Sequence, residues 1–249
     1  MYKKVKKLFF VNKFSSSGIK KNANHADSYP KELLRDIYAY QQLNPLLSTS
    51  SYLPFSTASL TPSSISVLLN DVIVNKRKHI LEFGSGVTTY LLARLCLLNQ
   101  LNDVKIISVD ENEAWIGVVE ELLEKDKLLD GNIRLIHAPL IKNDLAINET
   151  SWYDETSIIS VLGLEKIDCV LVDGPSAWRE EVKYSRYPAL PFIYQYLSEN
   201  SVVFLDDAHR VGEKFIIERW KQEYTLEFQQ FHRSFCGFFK GQYFSAMLF

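Results

Sequence analysis

The sequence lacks most of the features that would place it outside the cell, across a membrane or along a nucleic acid. Only three cysteines occur in 249 residues, Cys96, Cys169 and Cys236, widely separated and odd in number. They make no Cys-x-x-Cys pair, so neither a disulfide framework nor a zinc knuckle can be built from them. Cys96 and Cys169 sit in apolar runs and read as core thiols, so the expected setting is a reducing, cytoplasmic one. Neither charge sign is in excess: the net charge is −2, which excludes a protein coating nucleic acid over its whole surface. No nucleic-acid partner is expected. No apolar run approaches the ~18 residues a membrane-spanning helix requires. The lysine-rich start resembles an export signal, but its apolar stretch, Leu8 to Val11, falls short of the ~7–15 residues export needs. Two readings of it stand: a basic surface arm, or weak docking on an anionic membrane or partner. There is no internal repeat and no low-complexity block.

What is present is the composition of an ordinary globular protein, 47% hydrophobic and 23% charged, with aromatics at 13%. The length allows one large core with a modest attachment. Residues 1–28, polar and basic, read as a flexible arm. Residues 29–78 read as a helical extension: a helix from Tyr29 to Leu43 with Pro30 in its first turn, a Ser/Thr/Pro-rich connection, and a helix from Ser63 to Val74. From His79 short apolar strands alternate with helices. The strands fall at 80–83, 104–110, 133–138, 167–173 and 201–206, and the helices at 87–98, 113–127 and 211–224. That alternation implies parallel βαβ units and a sheet covered by helices. In the tail, 225–231 and 243–249 read as an antiparallel hairpin closing one edge, so that 79–249 forms one domain.

The first strand runs into Glu82-Phe83-Gly84-Ser85-Gly86 and then directly into a helix. Glycines there permit a tight turn and close approach to a ligand, and the helix start offers unpaired N–H groups. A dinucleotide fingerprint would carry a third glycine at position 89, where Thr89 stands. Asp110 ends the second strand, where a carboxylate can accept both hydroxyls of a ribose; the competing role is a helix cap.

Ile80-Leu81-Glu82-Phe83-Gly84-Ser85-Gly86-Val87-Thr88-Thr89 resembles the first motif of class I S-adenosylmethionine-dependent methyltransferases. Val109-Asp110 resembles their second motif and Val172-Asp173-Gly174-Pro175 their fourth, over a similarity spanning residues 55–224. The resemblance implies an α/β, Rossmann-like doubly wound, mostly parallel seven-stranded sheet with the N-terminal extension over the cofactor. It implies that Glu82, Gly84, Ser85, Gly86, Asp110 and Asp173 hold S-adenosylmethionine, with the loop at His137-Ala138 on the adenine side.

Asp173 and the pair Asp206-Asp207 end two strands that are neighbours in the family's sheet order. Three carboxylates converging there would repel one another unless a divalent cation such as Mg²⁺, Mn²⁺ or Ca²⁺ sat between them. The pattern is similar to metal-dependent O-methyltransferases. Where those of the catechol and caffeoyl-coenzyme A type carry a lysine base, this chain has Ser176, and where they carry Asn, it has Asp207. The run Asp206-Asp207-Ala208-His209-Arg210 is closer to glucuronoxylan O-methyltransferases and related bacterial enzymes. The competing reading makes Asp206 or Asp207 a cap of the next helix. His209 is a candidate general base beside Asp173, or a surface histidine. Arg179, Arg186 and Arg210 are candidates for holding an anionic substrate such as a uronate or phosphate. Trp178 is a candidate substrate cover, whereas Trp115 and Trp152 read as packing.

The expected activity is methyl transfer to a hydroxyl oxygen of a sugar, glycan or other small molecule. An NAD-dependent oxidoreductase would need the missing glycine and a Tyr-x-x-x-Lys pair, which neither Tyr184 nor Tyr187 begins. A nucleic-acid methyltransferase would show a base-gripping motif that Asp173-Gly174-Pro175-Ser176 does not match. The retained glycines and acids also speak against a catalytically silent binding subunit.

Overall fold

The computed structural model describes residues 16–48, 51–163 and 165–247. Helices α1 (Ser16–Leu47) and α2 (Pro62–Val74) lead into β1 (His79–Phe83), α3 (Val87–Leu98), β2 (Lys105–Asp110), α4 (Glu113–Lys125) and β3 (Ile133–His137). A small ribbon, β4 (Leu140–Lys142) with β5 (Ser151–Tyr153), precedes α5 (Glu155–Leu162) and β6 (Ile167–Val172). The chain continues through the short α6 (Ala189–Ile193), β7 (Leu197–Leu205), α7 (Val211–Glu223), β8 (Glu227–His232) and β9 (Phe235–Lys240).

The main sheet has seven strands in the order β3-β2-β1-β6-β7-β9-β8. The first five are parallel, and β9 pairs antiparallel with both β7 and β8. This is the Rossmann-like sheet with a closing antiparallel pair. Alternation along the strands feeds two cores. Ile80, Ile106, Leu171 and Phe204 pack toward α1, α2, α3 and α4. Leu81, Ile107, Val170 and Val203 pack toward α5, α6 and α7. Burial on both faces explains the nearly continuous apolar character of the central strands.

The helix starts follow local chemistry. Thr61 accepts the Ser64 N–H at the head of α2, where Pro62 takes the position that needs no donor. Asn112 does the same for Trp115 at α4, and Asp154 for Thr156 at α5.

Three expectations are corrected. Helix α1 begins at Ser16 rather than Tyr29 and runs through Pro30; Lys20, Lys21, Ala23 and Ala26 are good helix formers even without an apolar stripe. Residues 1–15 of the expected arm lie outside the described residues. The second tail strand is Phe235–Lys240, not 243–249, of which 248 and 249 are not described. A tight turn at Arg233-Ser234 returns the chain at once, and the apolar run after it is buried between β7 and β8. The β4–β5 ribbon and α5 occupy a stretch in which no element was expected.

A candidate cofactor cleft at the carboxyl ends of the strands

The backbone ladder of the sheet continues one residue past several strands and thereby aims the site. Gly84 N–H donates to Val109 C=O (2.8 Å), Asp173 N–H to Phe83 C=O (2.9 Å), and Asp206 N–H to Val172 C=O (3.1 Å). Gly84 adopts φ +100°, and a Cβ there would lie 2.9 Å from Gly174 N; a Cβ at Gly174 would lie 2.2 Å from the Tyr153 hydroxyl. The turns after β1 and β6 are thus pressed backbone to backbone, which only glycine permits at both positions.

The position of the absent third glycine is filled with purpose. Thr89 Oγ1 accepts from Gly86 N–H (2.9 Å) and donates to Glu82 Oε2 (2.5 Å). Ser108 Oγ donates to the same oxygen (2.7 Å) and meets Ser85 Oγ (2.7 Å). Glu82 is fully buried, its Oε1 has no partner among the described residues, and burial raises its pKa to about 8. Glu82 therefore holds the turn's shape as a neutral acid. Gly86, which caps α3, has no side chain to satisfy the helix's first amides.

Asp110 accepts Ser85 N–H on Oδ2 (3.1 Å) and Asn112 N–H on Oδ1 (2.9 Å). It does not cap α4, a role taken by Asn112. One donor on each oxygen leaves lone pairs for a ligand, and burial raises its pKa to about 6. Trp115 Nε1 donates to Ser85 C=O (2.7 Å), so this tryptophan belongs to the cleft wall rather than to ordinary packing.

A cleft of about 370 Å³ runs from Gly84, Ser85, Gly86 and Asp110 to Asp173, Asp206, Asp207, His209 and Arg210. The loop before α2, from Pro54 to Thr61, forms one wall. The extension thus covers the cleft through this loop. Trp178 lines the mouth, 71% exposed, with the Arg179 guanidinium 5.4 Å from its ring centre. Arg179 is not among the lining residues. Ala138 is not either: it is fully buried and donates its N–H to Asp110 C=O. Trp152 packs in the core against Phe83 and Tyr153.

At the far end, carboxylate oxygens of Asp173, Asp206 and Asp207 lie within 4.8 Å of one another. Neither aspartate of the pair caps α7, which starts at Val211 after Arg210 without a side-chain cap. Between the acids lies the buried Arg186. It donates to Asp173 Oδ1 (3.3 Å), Asp207 Oδ2 (3.1 Å), Asp206 C=O (3.4 Å) and Pro175 C=O (3.1 Å). Arg210 holds Asp207 Oδ2 at 2.8 Å. Arg186 thus reaches two of the three acids at once, in the place where a cation was expected between them.

Neutralisation is still incomplete. Buried Glu213, in the first turn of α7, adds a fourth acid; its Oε1 is 3.7 Å from Arg186, too long for a hydrogen bond. Among the described residues Asp206 Oδ1 has no partner, and burial together with its acidic neighbours drives the Asp206 pKa well up. Burial likewise raises Asp173 to about 6 and Glu213 to about 7. His209 is half-buried with an unpartnered Nδ1, and desolvation lowers its pKa.

An open, mostly parallel sheet with its cleft at the strands' carboxyl ends, where β1 and β6 deliver glycine turns, is the frame of a nucleotide-type cofactor enzyme. The chain belongs to the family described as "Methyltransferase domain", whose model matches residues 81–208. Solved structures agree in fold. The SAH-bound Podospora anserina methyltransferase superposes with TM-score 0.56 at 12% identity, covering 94% of this chain and 100% of that one. A Klebsiella pneumoniae protein described as an O-methyltransferase gives TM-score 0.55 at 14% identity, covering 86% and 89%. A Geobacter sulfurreducens methyltransferase gives 0.52 at 10%, covering 74% and 81%. No curated protein matches the sequence.

Among the residues sequence reasoning missed are Ser108, Tyr153, Glu213 and the wall from Pro54 to Thr61. Ser108 and Tyr153 are ordinary strand residues by sequence, and Glu213 looks like a solvated helix acid until α7 docks. No local pattern marks them.

Proposed function

We propose that this protein transfers a methyl group from S-adenosylmethionine to a hydroxyl oxygen of a small molecule or glycan. The observation that carries this reading is one continuous cleft with Asp110 and the glycine turn at one end and Asp173 and His209 at the other. The residues present fit the donor: Asp110 keeps lone pairs for ribose hydroxyls, and Gly86 leaves the α3 amides without a side-chain cap. When bound, S-adenosylmethionine supplies a sulfonium methyl that an oxygen nucleophile can displace in line. Asp173, whose backbone is held beside Gly84, would offer a carboxylate to the positive sulfonium of the bound cofactor. Desolvation favours the neutral form of His209, so that its imidazole can take the acceptor's proton.

A divalent cation fits the same end of the cleft. Asp173, Asp206 and Asp207 would hold it, and the unpartnered Asp206 Oδ1 supports this. It would supply Lewis acidity that lowers the acceptor hydroxyl's pKa. Oxygen ligands favour Mg²⁺, Mn²⁺ or Ca²⁺.

Calorimetry tests both statements without knowledge of the acceptor. S-adenosylmethionine should bind in chelator as well as in its absence, because Asp110 and the acid cluster are at opposite ends of the cleft. Mn²⁺ should bind the wild type and not Asp206→Asn. Binding of NADH in place of S-adenosylmethionine would remove the central reading, and equal Mn²⁺ binding by both proteins would remove the metal.

A further inference from the structure

The cleft opens beside His209 into a smaller annex of about 140 Å³ with which it shares Thr61, His209 and Ser234. One wall is α1, with Glu32, Arg35 and Asp36; the other is the β8–β9 turn, with His232, Arg233 and Ser234. The two walls differ in electrical balance. On α1, Asp36 is engaged by the head of α2, accepting both Ser63 N–H (3.1 Å) and Ser63 Oγ–H (2.5 Å). On the turn, Arg233 is exposed and makes no hydrogen bond or ion pair among the described residues.

The other cationic candidates are committed elsewhere. Arg186 is spread over two acids and two carbonyls, Arg210 is bound to Asp207, and Arg179 lies outside the cleft. A guanidinium with its donors unspent, at the rim of a cavity beside the candidate base, is suited to a planar anion or a phosphate.

Resting on the methyl-transfer reading above, we propose that the acceptor is an anionic hydroxyl compound whose carboxylate or phosphate is held in this annex by Arg233. The anion would anchor the acceptor on the turn, while the hydroxyl to be methylated reaches toward His209 in the main cleft. Arg233 thereby sets acceptor specificity and takes no part in the proton transfer.

The test measures binding of matched probes to the whole chain, in which the annex anion is separable from the chemistry. D-gluconate is compared with the neutral polyol D-sorbitol, and glucose 6-phosphate with glucose, by calorimetry in the presence of S-adenosylhomocysteine. At least one anion should bind, and its neutral counterpart at least about tenfold more weakly, as expected for loss of a charge-assisted pair. The member of the pair that binds tells carboxylate from phosphate. Arg233→Gln should weaken the anion by about tenfold or more, and Arg233→Lys should recover part of the loss. Arg134→Gln makes the same charge change on β3, outside both the cleft and the annex, and should leave binding unchanged. Equal affinity of wild type and Arg233→Gln, equal affinity for the neutral probes, or no binding of either anion overturns the annex. Calorimetric titration with S-adenosylmethionine alone separates the two claims. Its failure to bind overturns methyl transfer and, with it, the anion's role as acceptor; its binding without any anion binding overturns the annex alone.

Discussion

Two buried arginines sit at opposite ends of the same sheet, and their surroundings differ in what is left over. Before β1, Arg77 meets one acid: Nε donates to Asp71 Oδ2 (2.7 Å) and Nη2 to Oδ1 (3.3 Å), while Nη1 reaches Asn200 C=O (2.9 Å). Asn75 donates to the same Oδ1 (2.6 Å) and clasps Phe244 in the tail. Every polar group of that knot is used, and its effect is to tie α2, β7 and the tail together. Arg186, at the carboxyl ends, faces Asp173, Asp206, Asp207 and Glu213, and among the described residues only Arg210 pairs with this cluster beside it. Oδ1 of Asp206 and both oxygens of Glu213 have no hydrogen-bond partner among the described residues. A buried charge costs stability unless it is paired, so the closed knot is complete in itself, while the open one leaves room for the cation proposed above.

The sharpest way to break this comparison is to remove each arginine. Arg77→Ala and Arg186→Ala should each cost about 3–5 kcal/mol, because each strands a buried carboxylate. Urea unfolding with and without Mn²⁺ should separate them: the cation should restore part of the loss in Arg186→Ala and none in Arg77→Ala. If Mn²⁺ helps neither variant, the open knot is not a cation site.

Next in size is Asp110→Ala, which should weaken S-adenosylmethionine by about 1.5–3 kcal/mol in calorimetry, the worth of a charge-assisted contact. Asp71→Asn, made at the closed end, should lower stability and leave the affinity of the folded fraction alone.

The pH dependence of stability sharpens the contrast further. Glu82, Asp110, Asp173 and Glu213 all have pKa values in the folded protein above their ordinary ones, at about 8, 6, 6 and 7. The unfolded chain then releases these protons first. Stability is therefore full below the ordinary carboxylate range and lost as pH rises through about 6 to 8. The melting temperature without ligand should fall from pH 5 to pH 8, and Glu82→Gln should flatten the upper part of that fall. A melting temperature that rises over this interval would mean that these acids are charged and compensated in the folded protein.

The smallest effect belongs to the surface. Lys105→Gln removes a half-exposed contact to Glu165 (2.5 Å) and should change stability by no more than about 1 kcal/mol.

Much of this was legible before the structure. The βαβ rhythm, the starts of α3, α4 and α7, and the glycine turn with Asp110 depend on interactions within a few residues, which is where spacing carries information. The tail shows the limit. Phe235 to Phe239 is hard to place by sequence because a continuous apolar run says that a segment is buried but not which strand it joins. Thr89 shows another: by sequence it is a missing glycine, while its use, bridging Gly86 and Glu82, needs the fold.

The order of the chemistry-bearing residues along the chain was thus determined by the sequence alone: glycines after one strand, Asp110 after the next, Asp173 and Asp206-Asp207 after two more. Hydrophobic periodicity and turn chemistry are local, and they place such residues at strand ends wherever the strands come to lie. Only the tertiary structure decided that β6 lies beside β7, bringing three acids within one ligand's reach. It also decided that Arg186, thirteen residues past Asp173, turns back among them. The balance of charge in a buried space depends on every group that enters it, and those groups come from segments far apart in the chain.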